Sequence, residues 1–181
     1  MLHWKRSRFS KNVILVICSL LLLIAISSQR SVVHSDQWKR QQISIMYAQY
    51  AAQFPQVESI TVEQLQQFQR QHKKIILVDV RSPKEREVSI IPGSISVNQF
   101  EQNLAKYRDS TIVAYCTIGY RSGKYAQKLQ QQGLKIFNLE GSLLAWSYID
   151  GKLINETGET KKIHIFGHHW NLVAKNYQPV W

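Results

Sequence analysis

The chain has 181 residues and a mass of 21.1 kDa, room for one ordinary domain and a short extra segment but not for two full domains. Apolar residues make up 44%, charged residues 19%, and the mean hydropathy is −0.26, which excludes a multi-span transporter and a disordered chain. The net charge of +11 would point to nucleic acid if it were clustered on the domain. It is not: Lys5, Arg6, Arg8, Lys11 and Arg30 flank one apolar segment, and the other 18 basic residues against 12 acidic ones form no long basic run. No nucleic-acid partner is expected.

Residues 12–29 are an uncharged run of 18 between Lys11 and Arg30, densest over residues 13–26. With basic residues ahead of it and Trp38, Lys39 and Arg40 behind, the run predicts a membrane-spanning helix, its N-terminus cytoplasmic and the rest of the chain outside. The competing reading is a cleaved signal peptide, with Ala25-x-Ser27 as the cleavage pattern and a secreted product. Cys18 reads as an apolar filler within this run. In residues 37–54, Ile43, Met46, Tyr47, Tyr50 and Phe54 recur at helical spacing, a stripe that packs on the following domain or lies on a membrane surface. The expected organisation is a basic tail and anchor over 1–29, an amphipathic helix over 30–56, a domain over 57–157 and an extension over 158–181.

Within the domain, Thr61 and Gln64 form a capping box opening a helix to about Arg70. Residues 75–80 and 111–115 are continuous apolar runs, the pattern of strands buried on both faces of a parallel sheet. Residues 94–97 and 135–139 read as short strands, 99–107 and 122–132 as helices, the latter closed by Gly133 and Leu134. Gly141-Ser142 turns into a helix carrying Leu143, Leu144 and Trp146. Helices alternating with short strands predict an α/β fold with a mainly parallel sheet.

Cys116 falls at the C-terminal end of a predicted strand, where open α/β sheets bind ligands. The segment Cys116-Thr-Ile-Gly-Tyr-Arg-Ser122 joins that strand directly to a helix. Successive backbone N–H groups and a helix N-terminus both favour thiolate over thiol. Gly119 permits a conformation that a side chain would obstruct, and Arg121 offers a cation to an anionic substrate. The bland alternative is an inert core cysteine at a strand end.

Four ordered motifs resemble the rhodanese homology domain over residues 57–155. They are Leu77-Val-Asp-Val-Arg81-Ser, Ile91-Pro-Gly-Ser94-Ile, Ile112-Val-Ala-Tyr-Cys116-x-x-Gly119-x-Arg121-Ser122 and Leu139-Glu-Gly141-Ser-Leu-Leu-Ala-Trp146. The resemblance implies a five-stranded parallel sheet flanked by helices, and a sulfurtransferase. In such an enzyme Cys116 takes sulfur from a donor such as thiosulfate as a persulfide and passes it to cyanide or a cellular thiol. Thr117, Ile118, Gly119, Tyr120, Arg121 and Ser122 would cradle the persulfide, with neither metal nor organic cofactor. Asp79 and Arg81 would support the site from outside, Arg81 pairing with Glu85 or Glu87.

The sequence departs from the family pattern in three places. Ser89-Ile90 replaces a common Gly-His, Gly141-Ser142 replaces a common Gly-Gly, and Thr117, Ile118 and Tyr120 are uncharged. With Arg121 alone to attract thiosulfate, a bulkier or less charged donor, or a protein persulfide, is a second expectation. A membrane-tethered sulfur carrier or binding module with little turnover is the main functional alternative. Phosphatases and arsenate reductases sharing the fold are remote: their loops place five residues between cysteine and arginine, where this chain has four. His164, His168 and His169 have no acidic or cysteine neighbour to complete a metal site, so this segment is expected to be an edge strand or surface extension. Tyr177 and Trp181 would help it pack on the domain or the membrane.

Overall fold

A computed structural model describes residues 11–181, apart from the side chains of residues 11–14, 23–34 and 169. Lys5, Arg6 and Arg8, assigned above to a cytoplasmic tail, lie outside the described residues. The chain divides into two compact units, Met1–Trp38 and Lys39–Trp181. Helix α1 (Lys11–Ala51) starts in the first. Of its described side chains there, Leu15, Val16, Ile17, Leu20, Leu21, Leu22 and Cys18 are exposed. Among the described residues no helix is long and apolar enough to cross a membrane. The segment expected to do so, 12–29, includes side chains outside the described set.

The second unit holds a five-stranded, all-parallel sheet of order β1-β5-β4-β2-β3. The strands are β1 (Ser59–Ile60), β2 (Ile75–Asp79), β3 (Ile95–Ser96), β4 (Thr111–Tyr115) and β5 (Ile136–Leu139). Successive strand residues serve opposite faces. Leu77, Val113, Tyr115 and Leu139 enter one core, while Val78, Ile112, Ala114 and Ile136 enter the other. This explains the continuous apolar runs.

The helices are α2 (Val62–Arg70), α3 (Pro83–Val88), α4 (Val97–Glu101), α5 (Leu104–Tyr107), α6 (Tyr120–Gln130) and α7 (Ser142–Ser147). Capping boxes at Thr61/Gln64, Ser82/Glu85 and Ser96/Gln99 open α2, α3 and α4. The single helix expected over 99–107 is two, because the Asn103 amide donates to the Gln99 carbonyl at 3.0 Å and competes with the ladder. β1 has no forecast of its own. Two residues carry no periodicity, and they become a strand only by pairing with Asn138 and Leu139.

The amphipathic stripe does pack on the domain: Ile43, Tyr47 and Phe54 are buried. Lys39 donates to the Val173 carbonyl at 3.2 Å and Arg40 lies over the Tyr148 ring at 5.3 Å. The C-terminal stretch is more deeply integrated than a surface extension. After the β6–β7 hairpin (Leu153–Asn155, Gly158–Thr160) and the parallel pair β8–β9 (Lys162–His164, Gln178–Val180), the residues Ile163, Ile165, Leu172, Val173 and Tyr177 are buried. They complete the core that includes Leu143, Leu144 and Trp146. Trp181 stays 62% exposed.

Candidate active site

β4 runs straight into the loop of Cys116, and α6 begins two residues earlier than the sequence suggests, at Tyr120. Gly119 precedes it at φ +111°, so the chain turns into the helix within four residues of the strand. The Cys116 sulfur accepts from the Gly119 N–H at 3.1 Å and faces the Ser122 hydroxyl at 3.6 Å. That hydroxyl has one proton and lies closer, at 2.6 Å, to the Asn138 side-chain oxygen, so backbone N–H groups hold the sulfur more firmly than the hydroxyl does. Burial pushes the thiol up. The Ser122 backbone N–H and hydroxyl, the Gly119 N–H and the Arg121 charge outweigh that burial and bring it below its ordinary value. Cys116 itself is only 2% exposed.

The loop is held from α7. The N–H groups of Leu143 and Leu144 donate to the carbonyls of Cys116 and Thr117 at 3.3 and 3.1 Å. Because N–H and C=O oppose each other across a planar peptide, the N–H groups of Thr117 and Ile118 are turned away from α7. Ser142 sits at φ +47°, and its hydroxyl accepts from the Cys116 N–H and donates to the Leu139 carbonyl, both at 3.1 Å. The Asn138 amide donates to the Gly119 carbonyl at 2.9 Å. Neither residue stood out in the sequence as a site residue. The only signal was the serine where the family pattern has glycine.

Arg121 reaches back to α3. Its guanidinium meets the Glu85 carboxylate in a two-point pair at 2.7 and 2.8 Å, and the Phe166 ring lies 4.9 Å from its centre. Burial pushes the Glu85 carboxyl up, but Arg121 and the Ser82 N–H and hydroxyl together hold it at about 2. Arg81 therefore does not pair with the Glu85 or Glu87 carboxylate. It forks onto Asp79 at 2.7 and 2.9 Å and donates to the Ser89 carbonyl at 2.6 Å and the Glu85 carbonyl at 3.4 Å. The pair is fully buried and stacked 5.8 Å from the Tyr115 ring, a brace that ties the ends of β2 and β4 to α3.

Tyr47 of α1 covers the loop. A Cβ at Gly119 would stand 2.5 Å from its ring, and Tyr50 and Phe54 flank Tyr120 at 5.2 and 5.8 Å. Gly119→Ala is therefore expected to slow any reaction of Cys116 at least about tenfold, since it adds both left-handed strain and a ring collision. Tyr47→Ala in the same chain should restore part of the rate by removing the collision alone. Timed thiol labelling measures both, and an unchanged rate in Gly119→Ala would show that the loop tolerates the displacement. Among the described residues no group of three or more His, Cys, Asp or Glu side chains is placed to hold a metal.

An open, all-parallel sheet with one buried cysteine in a strand-to-helix loop defines an α/β protein with a candidate thiol site. The chain belongs to the rhodanese-like domain family, which matches residues 61–148. It is 34% identical over 108 residues to the Bacillus subtilis protein YqhL, covering 58% of this chain and 83% of that protein. It is 33% identical over 98 residues to a protein of Allochromatium vinosum named sulfurtransferase, covering 50% and 89%. Two crystal structures share the fold: the BH2092 protein from Bacillus halodurans (TM-score 0.50, 22% identity, 61% of this chain and 86% of that one) and a thiosulfate sulfurtransferase from Pseudomonas aeruginosa (TM-score 0.54, 20% identity, 62% and 23%). The two structures show the fold alone, while the likeness to the Allochromatium protein supports a general sulfurtransferase role.

Proposed function

We propose that the domain moves sulfane sulfur through a persulfide on Cys116. The observation that carries this is the sulfur itself, held by N–H donors at a strand-to-helix turn with its thiol lowered below the ordinary range despite burial. The thiolate attacks the outer sulfur of the donor. A new S–S bond forms at Cys116, the donor's S–S bond breaks, and the electron pair leaves with sulfite if the donor is thiosulfate. The persulfide carries the same single negative charge as the thiolate, so the donors that stabilise one serve the other. A thiol or cyanide then removes the outer sulfur and restores the thiolate. On this reading the full chain, incubated with a sulfane donor, gains one sulfur atom by intact mass and then yields thiocyanate with cyanide. Absence of the adduct sinks it. The low exposure of Cys116 favours a second reading, a slow carrier that shields its persulfide, in which the adduct forms but turnover with cyanide does not.

The uncharged run over 12–29 behind four basic residues supports a single membrane span with a cytoplasmic N-terminus and the domain on the opposite side. A C-terminal reporter that is active only outside the cytoplasm should then score positive, with no shortening of the chain. A shortened mature chain would favour the signal-peptide alternative, and a negative reporter would reverse the orientation.

A further inference from the structure

The persulfide reading assigns chemistry to Cys116 but leaves the donor open, and the surroundings of Arg121 narrow it. Arg121 is the single cation of the loop. Both of its terminal nitrogens donate to Glu85, at 2.7 and 2.8 Å, one of them also reaches the Thr117 hydroxyl at 3.4 Å, and Phe166 from the C-terminal segment lies against it at 4.9 Å. The pair is electrically neutral as a unit. A dianion approaching it meets a guanidinium whose side chain is 34% exposed, with the nearly buried Glu85 carboxylate behind it, so the attraction of an isolated arginine is partly offset. What the same place offers instead is apolar surface. Phe166 is 51% exposed, Trp170 stands edge-on to it at 6.0 Å, and Tyr120 is 38% exposed on the loop itself.

Access to the sulfur points the same way. Cys116 is 2% exposed, so a donor must present its outer sulfur through a narrow opening. In thiosulfate, a tetrahedral group with charged oxygens follows one S–S bond, about 2 Å, behind that sulfur, and would have to be desolvated beside a cation already paired with a carboxylate. In an organic persulfide only one more sulfur atom follows, and the bulk stays outside, against the aromatic side chains.

Resting on the sulfur-transfer reading, we infer that the donor is an organic persulfide with an apolar body rather than thiosulfate, with Glu85 and Phe166 setting that preference. The Cys116 thiolate bonds to the terminal sulfur of R–S–SH and the S–S bond of the donor breaks. The electron pair leaves on R–S, which takes up the proton released as the new persulfide ionises, so the products are Cys116–S–S⁻ and R–SH. No oxidant or reductant is needed.

The test follows persulfide formation on Cys116 in the full chain by intact mass, with thiosulfate and with benzyl persulfide, and reads the ratio of the two second-order rate constants. A ratio taken within one variant does not depend on how much of that variant folds. The wild type should prefer benzyl persulfide by at least about tenfold. Glu85→Gln keeps the cap of α3 but removes the charge, and should shift the ratio about tenfold toward thiosulfate, most strongly at low salt. Phe166→Ala should shift it the same way by lowering the benzyl persulfide value. A wild-type preference for thiosulfate, or ratios unchanged in both variants, overturns the inference while leaving sulfur transfer intact. No adduct from either donor overturns sulfur transfer itself, and this inference with it.

Discussion

Cys116→Ser should abolish the persulfide adduct and thiocyanate release while leaving the fold in place. Serine is close in size and keeps an acceptor for the Gly119 N–H that now reaches the sulfur at 3.1 Å, and none of the loop's other anchors touches the side chain: Leu143 and Leu144 hold carbonyls, and Ser142 accepts the Cys116 N–H. The hydroxyl cannot serve in its place. A sulfane sulfur is transferred to a thiolate, and the oxygen is neither ionised at neutral pH nor able to form the S–S bond on which the second half-reaction depends. The acid limb of the wild-type rate reports the same group. With the thiol lowered from its ordinary value, the thiolate persists to lower pH than in a free cysteine, and the rate should fall as pH drops through the lowered value. Residual sulfur transfer in the serine variant, or an acid limb in the ordinary thiol range, would remove Cys116 from its assigned role.

Arg81→Ala should be the most damaging change for stability, costing about 3–5 kcal/mol because it strands a buried carboxylate. Asp79 and Arg81 are both fully buried. Without the guanidinium, Asp79 keeps the backbone N–H of residue 81 at 3.1 Å and Arg86 at 3.4 Å, and the carbonyls of Ser89 and Glu85 lose their donor. Against a typical total of ~5–15 kcal/mol, such a loss lowers Tm on the order of 10 °C. Arg81→Lys should recover only part of it, since an ammonium cannot reproduce the two-point fork onto Asp79. Exposed pairs such as Lys152–Glu159 should contribute less than about 1 kcal/mol. Urea denaturation of the variants measures the difference, and a cost below that of an exposed pair would show that Asp79 finds another partner.

The Arg81 brace shows where sequence reasoning stops. A supporting place for Asp79 and Arg81 was legible only as what the resemblance implies for an Asp-x-Arg motif at the end of a buried strand. Their pairing with each other was not, because Glu85 and Glu87 also lie within reach along the chain and only the fold turns the Glu85 carboxylate toward Arg121. Tyr47 is a similar case. Its place on an apolar stripe was legible from helical spacing, but that the stripe ends on Gly119 depends on where α1 docks. The C-terminal segment was read in part. The edge strand is there as β8, with Ile163 and Ile165 alternating inward, and Tyr177 packs on the domain as expected, but the burial of Leu172 and Val173 in the same core follows from no local pattern.

Sequence alone therefore determined what is local: the capped helices, the two strands buried on both faces, and a cysteine at a strand end with glycine and arginine following at fixed spacing. These depend on neighbours within one or two turns of chain, and composition and periodicity record them. Tertiary structure alone decided the chemistry at the mouth of the site. The hydroxyl that anchors the Cys116 N–H comes from Ser142, 26 residues away, and the carboxylate that neutralises Arg121 comes from Glu85, 36 residues away. A charge is described by its sequence, but whether it is free to bind an anion depends on what folding places beside it.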